Sequence, residues 1–573
     1  MKKVSLARSK FNSLLFSATL TMIVVYLMLL SDTLIVGNIV GENGIAAINI
    51  VTPLYSAANF VAGLIGMGTA YLYCRAMGEF QKDRAAGLFS QSVVLALLSG
   101  VAMFFLMLGL KDRYLDYMNI SGAIRAEVEA YWKYEKFVIL LVPINYLMIE
   151  MVYCDGDELI SVLGNVIMVV GNIAQSIFLC LKLGTAGASL GTAIGMTLAT
   201  LTLCLHFFRK SNTLHFRRHF SLRDIGEMNR LALTDAVIYI CWSVLGILLN
   251  KLVITRYGEA FLPVLTVVLG VYEFSLVFDG IGEAVSPLGE VYLGEKNYEN
   301  EASLLRYAFW VCAAEGAAVM LLLFLAAPVI PRLYDITSPE LIPQCIKAVR
   351  IMAFVMPFSA VTYLMTSQYL LVRKVALASL FAMSQSLLFA ALFCPLLSRA
   401  LGLSGIWLGL VFSPPAALAL YSAYVYWRYG KKKFPWLLDE NEFPTLNHSF
   451  SLTKEGVMEM RALAEDFLLR HDVERQTVFR IMLLIEECGM ATIAENGGKA
   501  VLAEYSLMLA DDGVKLTLRD NGKIFDITET DAEIRDISSY VVSSLMRSSD
   551  YRQYLTTISF NRSVLLVPLH REA

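Results

Sequence analysis

Asp32 stands in LMLLSDTLIVGNIVG, an apolar run with no Lys or Arg within two helical turns on either side. A charge inside hydrocarbon is costly, so such a residue marks a working site by default. Its carboxylate can take up a proton or a sodium ion, or pair with a cationic substrate. Asn165 and Asn172 lie in GNVIMVVGNIAQS, where an amide oxygen can coordinate an ion or bond a carboxyl group. Glu273 and Asp279 lie in VYEFSLVFDGIGEA, with Glu273 expected deepest; Glu283 and Glu290 fall nearer a helix end, where water reaches them. Lys251 and Arg256 are long enough to snorkel to a membrane surface.

The segments that must hold these residues are apolar. The chain has 573 residues, 57% hydrophobic and 17% charged, with a mean hydropathy of +0.59. About a quarter of a typical soluble domain is charged. Runs of roughly 20 apolar residues suffice to cross a bilayer as helices. About twelve such runs are legible, near 11–36, 46–73, 87–110, 133–154, 160–182, 186–208, 229–254, 260–287, 304–329, 345–368, 372–397 and 403–427. Net charge is −3, which gives no basic field for nucleic acid. The nine cysteines are scattered without a CxxC pair, so no metal site or disulfide framework is expected.

Basic residues set the orientation. Lys82, Arg84, Arg217, Arg218, Lys296, Arg373 and Lys374 fall in alternate connections, on the side of a basic N-terminal tail and of Lys431-Lys432-Lys433. Both termini are therefore expected in the cytoplasm, with the chain multi-pass in the plasma (inner) membrane. Connection 111–136 carries Lys111, Arg113, Arg125, Lys133 and Lys136 and goes against the trend.

An internal repeat is present. GMGTAYLYCRAMGE at 66–79 matches GIGEAVSPLGEVYLGE at 280–295, and GTAGASLG at 184–191 matches GLSGIWLG at 402–409, at offsets of 214 and 218. Duplicated halves around a central site are a transporter pattern. The expected fold class is an all-α membrane protein with two six-helix pseudo-symmetric bundles, 1–215 and 216–433. A linker, 434–447, then leads to a cytosolic α/β sandwich domain at 448–573.

SDTLIVGNIVGENGIAAINIVTP at 31–53, the GMGTAYLYCRAMGEFQKDRAA block, and YCDGDELISVLGNVIMVVGNIAQSIFL followed by GTAGASLGTAIG resemble, in order, the motifs of the multidrug and toxic compound extrusion family. The resemblance covers residues 10–430. It implies twelve helices around a central cavity and export of small, organic-cationic or amphipathic molecules, driven by a proton or sodium gradient. It also implies that Asp32 is the first-helix acid of the N-terminal lobe, that Asn172 belongs to a fifth-helix motif, and that Thr192 matches a sixth-helix threonine. Four residues after Asn172 the family often has an aspartate; here Ser176 stands there. With a single acid the proton is favoured over sodium, since a hard cation wants several oxygens. No cofactor is required.

The C-terminal segment has a soluble pattern. VFRIMLLIEECGMATIAE (478–495) reads as an amphipathic helix, 502–527 as two strands around Asp-Asp-Gly, and FNRSVLLVPL as a closing strand. The order resembles the histidine-kinase-like ATPase fold in its anti-sigma-factor kinase branch. That resemblance makes Glu487 the catalytic-type helix carboxylate and Asp520, with Gly522, the adenine-binding turn. Ala491 stands where the magnesium-binding asparagine is expected, and no glycine follows Gly522, so the phosphate-cradling lid is absent. Nucleotide binding is thus doubtful, no catalytic residue is assigned, and a cytosolic regulatory protein is the expected partner of this domain, beside small-molecule substrate and membrane lipid. The alternative is a membrane sensor whose C-terminal domain binds a regulatory partner. Lipid-precursor flipping is disfavoured by the few basic residues in the helices.

Overall fold

The computed structural model describes residues 5–78, 81–155, 157–209, 212–497, 499, 501–511, 513–523, 554–555 and 561–568. Helices dominate: α1 Leu6–Val40, α2 Glu42–Gly78, α3 Lys82–Met118, α4 Gly122–Cys154, α5 Glu158–Leu183, α6 Thr185–Cys204, α7 Leu222–Tyr257, α8 Leu262–Glu273, α9 Asp279–Gly294 and α10 Tyr298–Ala326. There follow α11 Ile330–Leu333, α12 Leu341–Ala353, α13 Met356–Leu371, α14 Val375–Met383, α15 Phe389–Leu401 and α16 Leu403–Lys433. Among the described residues, ten helical stretches are long and apolar enough to cross a membrane. The count becomes eleven if α12 and α13, bent by 43°, form one span. The 35-residue α1 precedes them.

The connection expected at 111–136 is a correction. Helices α3 and α4 extend through it and leave only 119–121 between them, with Asn119 left-handed at φ 59 as the C-cap. The charges that ran against the orientation trend therefore sit on the helices themselves, Lys111 and Arg113 late in α3 and Arg125, Lys133 and Lys136 along the first half of α4. Arg125, for example, pairs with Asp116 at 2.9 Å. Glu79 of the first repeat block, Lys210 and the tail lysines Lys2 and Lys3 lie outside the described residues.

The chain divides into two compact units. One comprises Thr21–Phe278 and Cys312–Tyr424 and contains most of the apolar helices. The other comprises Met1–Leu20, Asp279–Val311 and Val425–Ala573.

Within the second unit the last segment forms an antiparallel sheet of β1 Thr445–Ser451, β2 Leu502–Ala510, β3 Gly513–Asp520, β4 Tyr554–Leu555 and β5 Asn561–Pro568, in the order β1-β2-β3-β5-β4. The helices α17 Lys454–Arg470 and α18 Arg475–Glu495 cover one face. The alternation of the strands decides which face. Ala503, Tyr505, Leu507, Leu516, Leu518 and Leu565 join Met460, Ile481 and Ile485 in one apolar core.

The other face is polar, and it too is buried. It carries Glu504 and Ser506 on β2, Arg519 on β3 and Arg562 on β5, and the turn between α9 and α10 packs onto it. Arg519 is fully buried and pairs with Glu295 and, at 2.9 Å, with its cross-strand partner Glu504. Glu295 also meets Arg562 Nε at 2.6 Å. Tyr292 Oη and Asn300 Nδ2 each donate to Glu504 Oε1 at 3.0 Å. Asn297 Nδ2 donates to Asn447 Oδ1 at 2.7 Å. Burial lowers the Arg519 guanidinium to about 10 and raises the Glu504 carboxyl. Two cations facing two carboxylates give the balance that a buried ionic cluster requires.

Candidate functional site

Close approach of α5 and α6 makes the site possible. A Cβ on Gly187 would lie 2.2 Å from the Leu179 carbonyl, one on Gly191 2.6 Å from Ser176 Oγ, and one on Gly195 3.1 Å from the Asn172 nitrogen. Three glycines at four-residue spacing form a flat stripe on α6 that lets the α5 backbone come in. Gly184, at φ 60 and ψ −144, turns the chain between the two helices.

This packing gathers four residues named from the sequence. Asp32 Oδ2 lies 2.8 Å from Thr192 Oγ1, and Asp32 Oδ1 lies 3.2 Å from Ser176 Oγ. Asn172 Nδ2 donates to Thr192 Oγ1 at 2.7 Å. A relay therefore runs from the amide through the threonine hydroxyl to the carboxylate. Asp32 and Thr192 are partly exposed, whereas Ser176 and Asn172 are buried. Among the described residues no basic side chain pairs with Asp32, and the buried Asn172 Oδ1 receives no hydrogen bond. Hydroxyl donors stabilise a carboxylate, and the same oxygens can accept from a protonated one.

Glu135 was missed in the sequence. It is 3% exposed on α4, hydrogen-bonded by Tyr131, within electrostatic reach of Asp32, and its Oε2 has no partner. Starting the fourth helix at 133 put it at a helix mouth. The signal was available in YWKYEKFVIL: aromatic residues at 131 and 132 continue the apolar face of α4 upstream of the acid.

Glu273 and Asp279 are not drawn into this cluster. Glu273 is half-buried at the end of α8, with Tyr26 and Tyr334 as its electrostatic neighbours. Asp279 opens α9 and belongs to the other compact unit. Asn165 takes part in no hydrogen bond recorded among the described residues.

A second polar centre lies at the end of α4. His206 is fully buried, with Nε2 at 2.7 Å from Asp155 Oδ2 and Nδ1 at 3.0 Å from Asp157 Oδ2. Asp155 also accepts from the Thr213 nitrogen at 2.8 Å and from Tyr73 Oη at 3.0 Å. Burial works to raise the Asp155 carboxyl, but the bonds from Thr213, His206 and Tyr73 outweigh it and hold it below the ordinary carboxylate range. Asp157 is lowered likewise: burial opposes the shift, while His206, the Ile160 nitrogen and Arg209 produce it.

In the C-terminal domain Glu487 makes no hydrogen bond or ion pair among the described residues. Asp520 Oδ1 accepts from the Gly522 nitrogen at 2.8 Å and from Asn561 Nδ2 at 2.9 Å, so its own turn occupies that oxygen. Burial raises its carboxyl.

A multi-pass bundle of apolar helices with an unpaired acid among small hydroxyl and amide residues defines the class of membrane-embedded transporters rather than enzymes. The chain belongs to the MatE family, whose model matches it twice, over residues 18–178 and 236–396. It is 24% identical over 229 residues to the multidrug export protein MepA of Staphylococcus haemolyticus. That match takes in 39% of this chain and 50% of the relative, so the chain spans about half the length of the curated relatives it matches. An inward-facing multidrug resistance MATE family transporter of the MOP superfamily superposes with a TM-score of 0.65 at 20% identity, over 69% of this chain and 92% of that one. An outward-facing structure gives 0.58 at 20%, over 73% and 94%. At such identities the likeness establishes the fold.

Proposed function

We propose that this protein is a cation-coupled antiporter that exports small organic-cationic or amphipathic molecules from the cytoplasm, with Asp32 as the coupling group. The observation that carries this reading is the Asp32 carboxylate, partly exposed, without a basic partner among the described residues, and bonded by Thr192 and Ser176. An acid that is accessible yet unpaired binds a cation in one state of the cycle and releases it in another. The proton is the better candidate: once protonated, Asp32 becomes a donor, and Asn172 Oδ1 is an acceptor in need of one. Neutralisation removes the cost of the charge and shifts the balance between the two access states. Membership of the MatE family and the partial likeness to a multidrug export protein favour a broad range of substrates. On this reading α1 is a further membrane span and both termini are cytoplasmic. The C-terminal domain, seated on the α9–α10 turn, is a regulatory appendage without ATP chemistry.

The test is efflux from proteoliposomes loaded with a panel of organic cations, under an imposed proton gradient or an imposed sodium gradient. Export that follows the proton gradient supports the reading. Absence of export under either gradient contradicts it. Removal of residues 440–573 should change the rate without abolishing transport; complete dependence on that segment would favour a sensor.

A further inference from the structure

We infer that Glu135 is a second proton carrier of the same site, so that two carboxyl groups rather than one load and unload in each cycle; this rests on the exporter reading given above. Glu135 lies 13 residues into α4, about 20 Å along a helix about 50 Å long, and is 3% exposed although Lys133 and Lys136 on either side reach the surface. It is enclosed by protein, and it caps no helix terminus.

Its surroundings repay little of the cost of a charge there. The ionisable groups that face it are Asp32 from α1, Tyr55 from α2 and Tyr131 from its own helix, with Tyr239 of α7 next to Tyr55. Among the described residues, α3, α5 and α6 present no charged group to it, and no Lys, Arg or His pairs with it. Tyr131 supplies one hydrogen bond. Oε2 is buried and receives none. A buried carboxyl with one open oxygen and a second carboxyl for a neighbour has a place for a proton on that oxygen.

Two observations separate Glu135 from a merely structural acid. The first is its orphan oxygen, the atom that a lone structural carboxyl would have satisfied. The second is Asn172 Oδ1 beside Asp32, another buried acceptor without a donor. Both atoms await a hydrogen that the protein does not supply. Asp32 is partly exposed and Glu135 is enclosed, so a proton enters at Asp32 or the tyrosine hydroxyls and passes to Glu135 Oε2. It leaves by the reverse route, and no other bond is made or broken. Two interacting carboxyls titrate as a pair, which spreads their proton release over two steps.

The experiment uses the full chain in liposomes. Infrared difference spectra between acid and alkaline buffer report protonated carboxyls through their C=O stretch. Glu135→Gln should lose one carboxylic band that wild type shows, Asp32→Asn should lose a different one, and Tyr131→Phe should shift the Glu135 band without removing it. If Glu135→Gln fails to fold, the Tyr131→Phe shift carries the test. A Glu135→Gln spectrum that superposes on wild type, or no movement in Tyr131→Phe, overturns the inference. A second arm measures the pH gradient that balances net export of tetraphenylphosphonium. The coupling ratio should fall by one proton per cation in Glu135→Gln, and an unchanged ratio overturns the inference. Failure of wild type to export would defeat the exporter reading alone, because the infrared arm still decides whether Glu135 exchanges a proton.

Discussion

The two halves of the repeat share the glycine-lined contact of their last two helices and differ in chemistry. The matched segments begin at 18 and 236, an offset of 218. Gly184 sits at φ 60, ψ −144, and Gly402 at φ 63, ψ −148. Cβ atoms on Gly187 and Gly405 would each lie 2.2 Å from a carbonyl oxygen of the preceding helix, and those on Gly191 and Gly409 would each have a nearest atom at 2.6 Å. Ser176 Oγ reaches the Ala188 carbonyl at 3.3 Å, and Cys394 Sγ reaches the Ile406 carbonyl at 3.3 Å. At the same offset, however, Asn250 stands opposite Asp32, Ala390 opposite Asn172, Cys394 opposite Ser176 and Leu410 opposite Thr192. Asn250 is fully buried and satisfied: Asn49 Nδ2 donates to its Oδ1 at 2.8 Å, and its own amide donates to the Asn49 carbonyl at 3.2 Å. The glycine stripe is thus scaffold common to both halves, while the Asp32, Asn172, Ser176 and Thr192 cluster has no counterpart at the matching positions of the second half.

Transplanting residues between the halves tests this contrast. Asp32→Asn gives the first half the amide of the second and should reduce gradient-driven efflux to that of protein-free vesicles, with expression and thermal stability retained. Thr192→Leu removes the donor to Asp32 and the acceptor of Asn172. A hydrogen bond to a charged group contributes about 1.5–3 kcal/mol, so cation affinity should fall by about 10- to 100-fold, read as a displaced gradient dependence of efflux. Gly191→Ala and Gly409→Ala should each destabilise by about 1–3 kcal/mol through overpacking, seen as lowered Tm. Only the former should also impair coupling, and equal impairment would break the contrast. Asn250→Leu leaves Asn49 unpaired at a cost of about 1–3 kcal/mol, again in Tm, with coupling unchanged.

The smallest effect concerns pH. Asp155 is held below the ordinary carboxylate range, and the 218 offset puts Arg373 in its place in the second half. A depressed carboxyl stabilises the folded state above its unfolded pKa, about 4, and that contribution is lost as pH falls through the folded value. Wild type should therefore lose Tm as pH drops below about 5, and Asp155→Asn, less stable at neutral pH, should lose less over the same interval. Equal slopes would show that the His206 corner does not set acid stability.

Much of the first-half site was legible because its signals are local. An acid in an apolar run needs no partner to attract notice, and the Gly-x-x-Gly spacing exposes the helix contact. Glu135 was not legible, since a boundary placed at 133 put an acid 13 residues into α4 at a helix mouth; the apolar pattern weakens near Lys133 and Lys136, although the helix extends back to Gly122. Glu273 has the same sequence credentials as Asp32, yet its neighbours are Tyr26 and Tyr334. Which acids share a site is decided by tertiary packing. Arg519 illustrates a different limit. Alternation along β3 places it on the face away from α17 and α18, which reads as solvent, and nothing local shows that the α9–α10 turn covers that face and supplies Glu295. Replacing Arg519 by Met would leave Glu504 without its cation and Glu295 with Arg562 alone, and should loosen the docked domain, seen as faster proteolysis between α16 and β1.

The most direct measurement compares two fluxes of one organic cation in Asp32→Asn vesicles: net efflux driven by a proton gradient, and exchange of labelled for unlabelled substrate without a gradient. Loss of the first with survival of the second is what an ionisable coupling group at Asp32 predicts. Proton-driven efflux at the wild-type rate would contradict it.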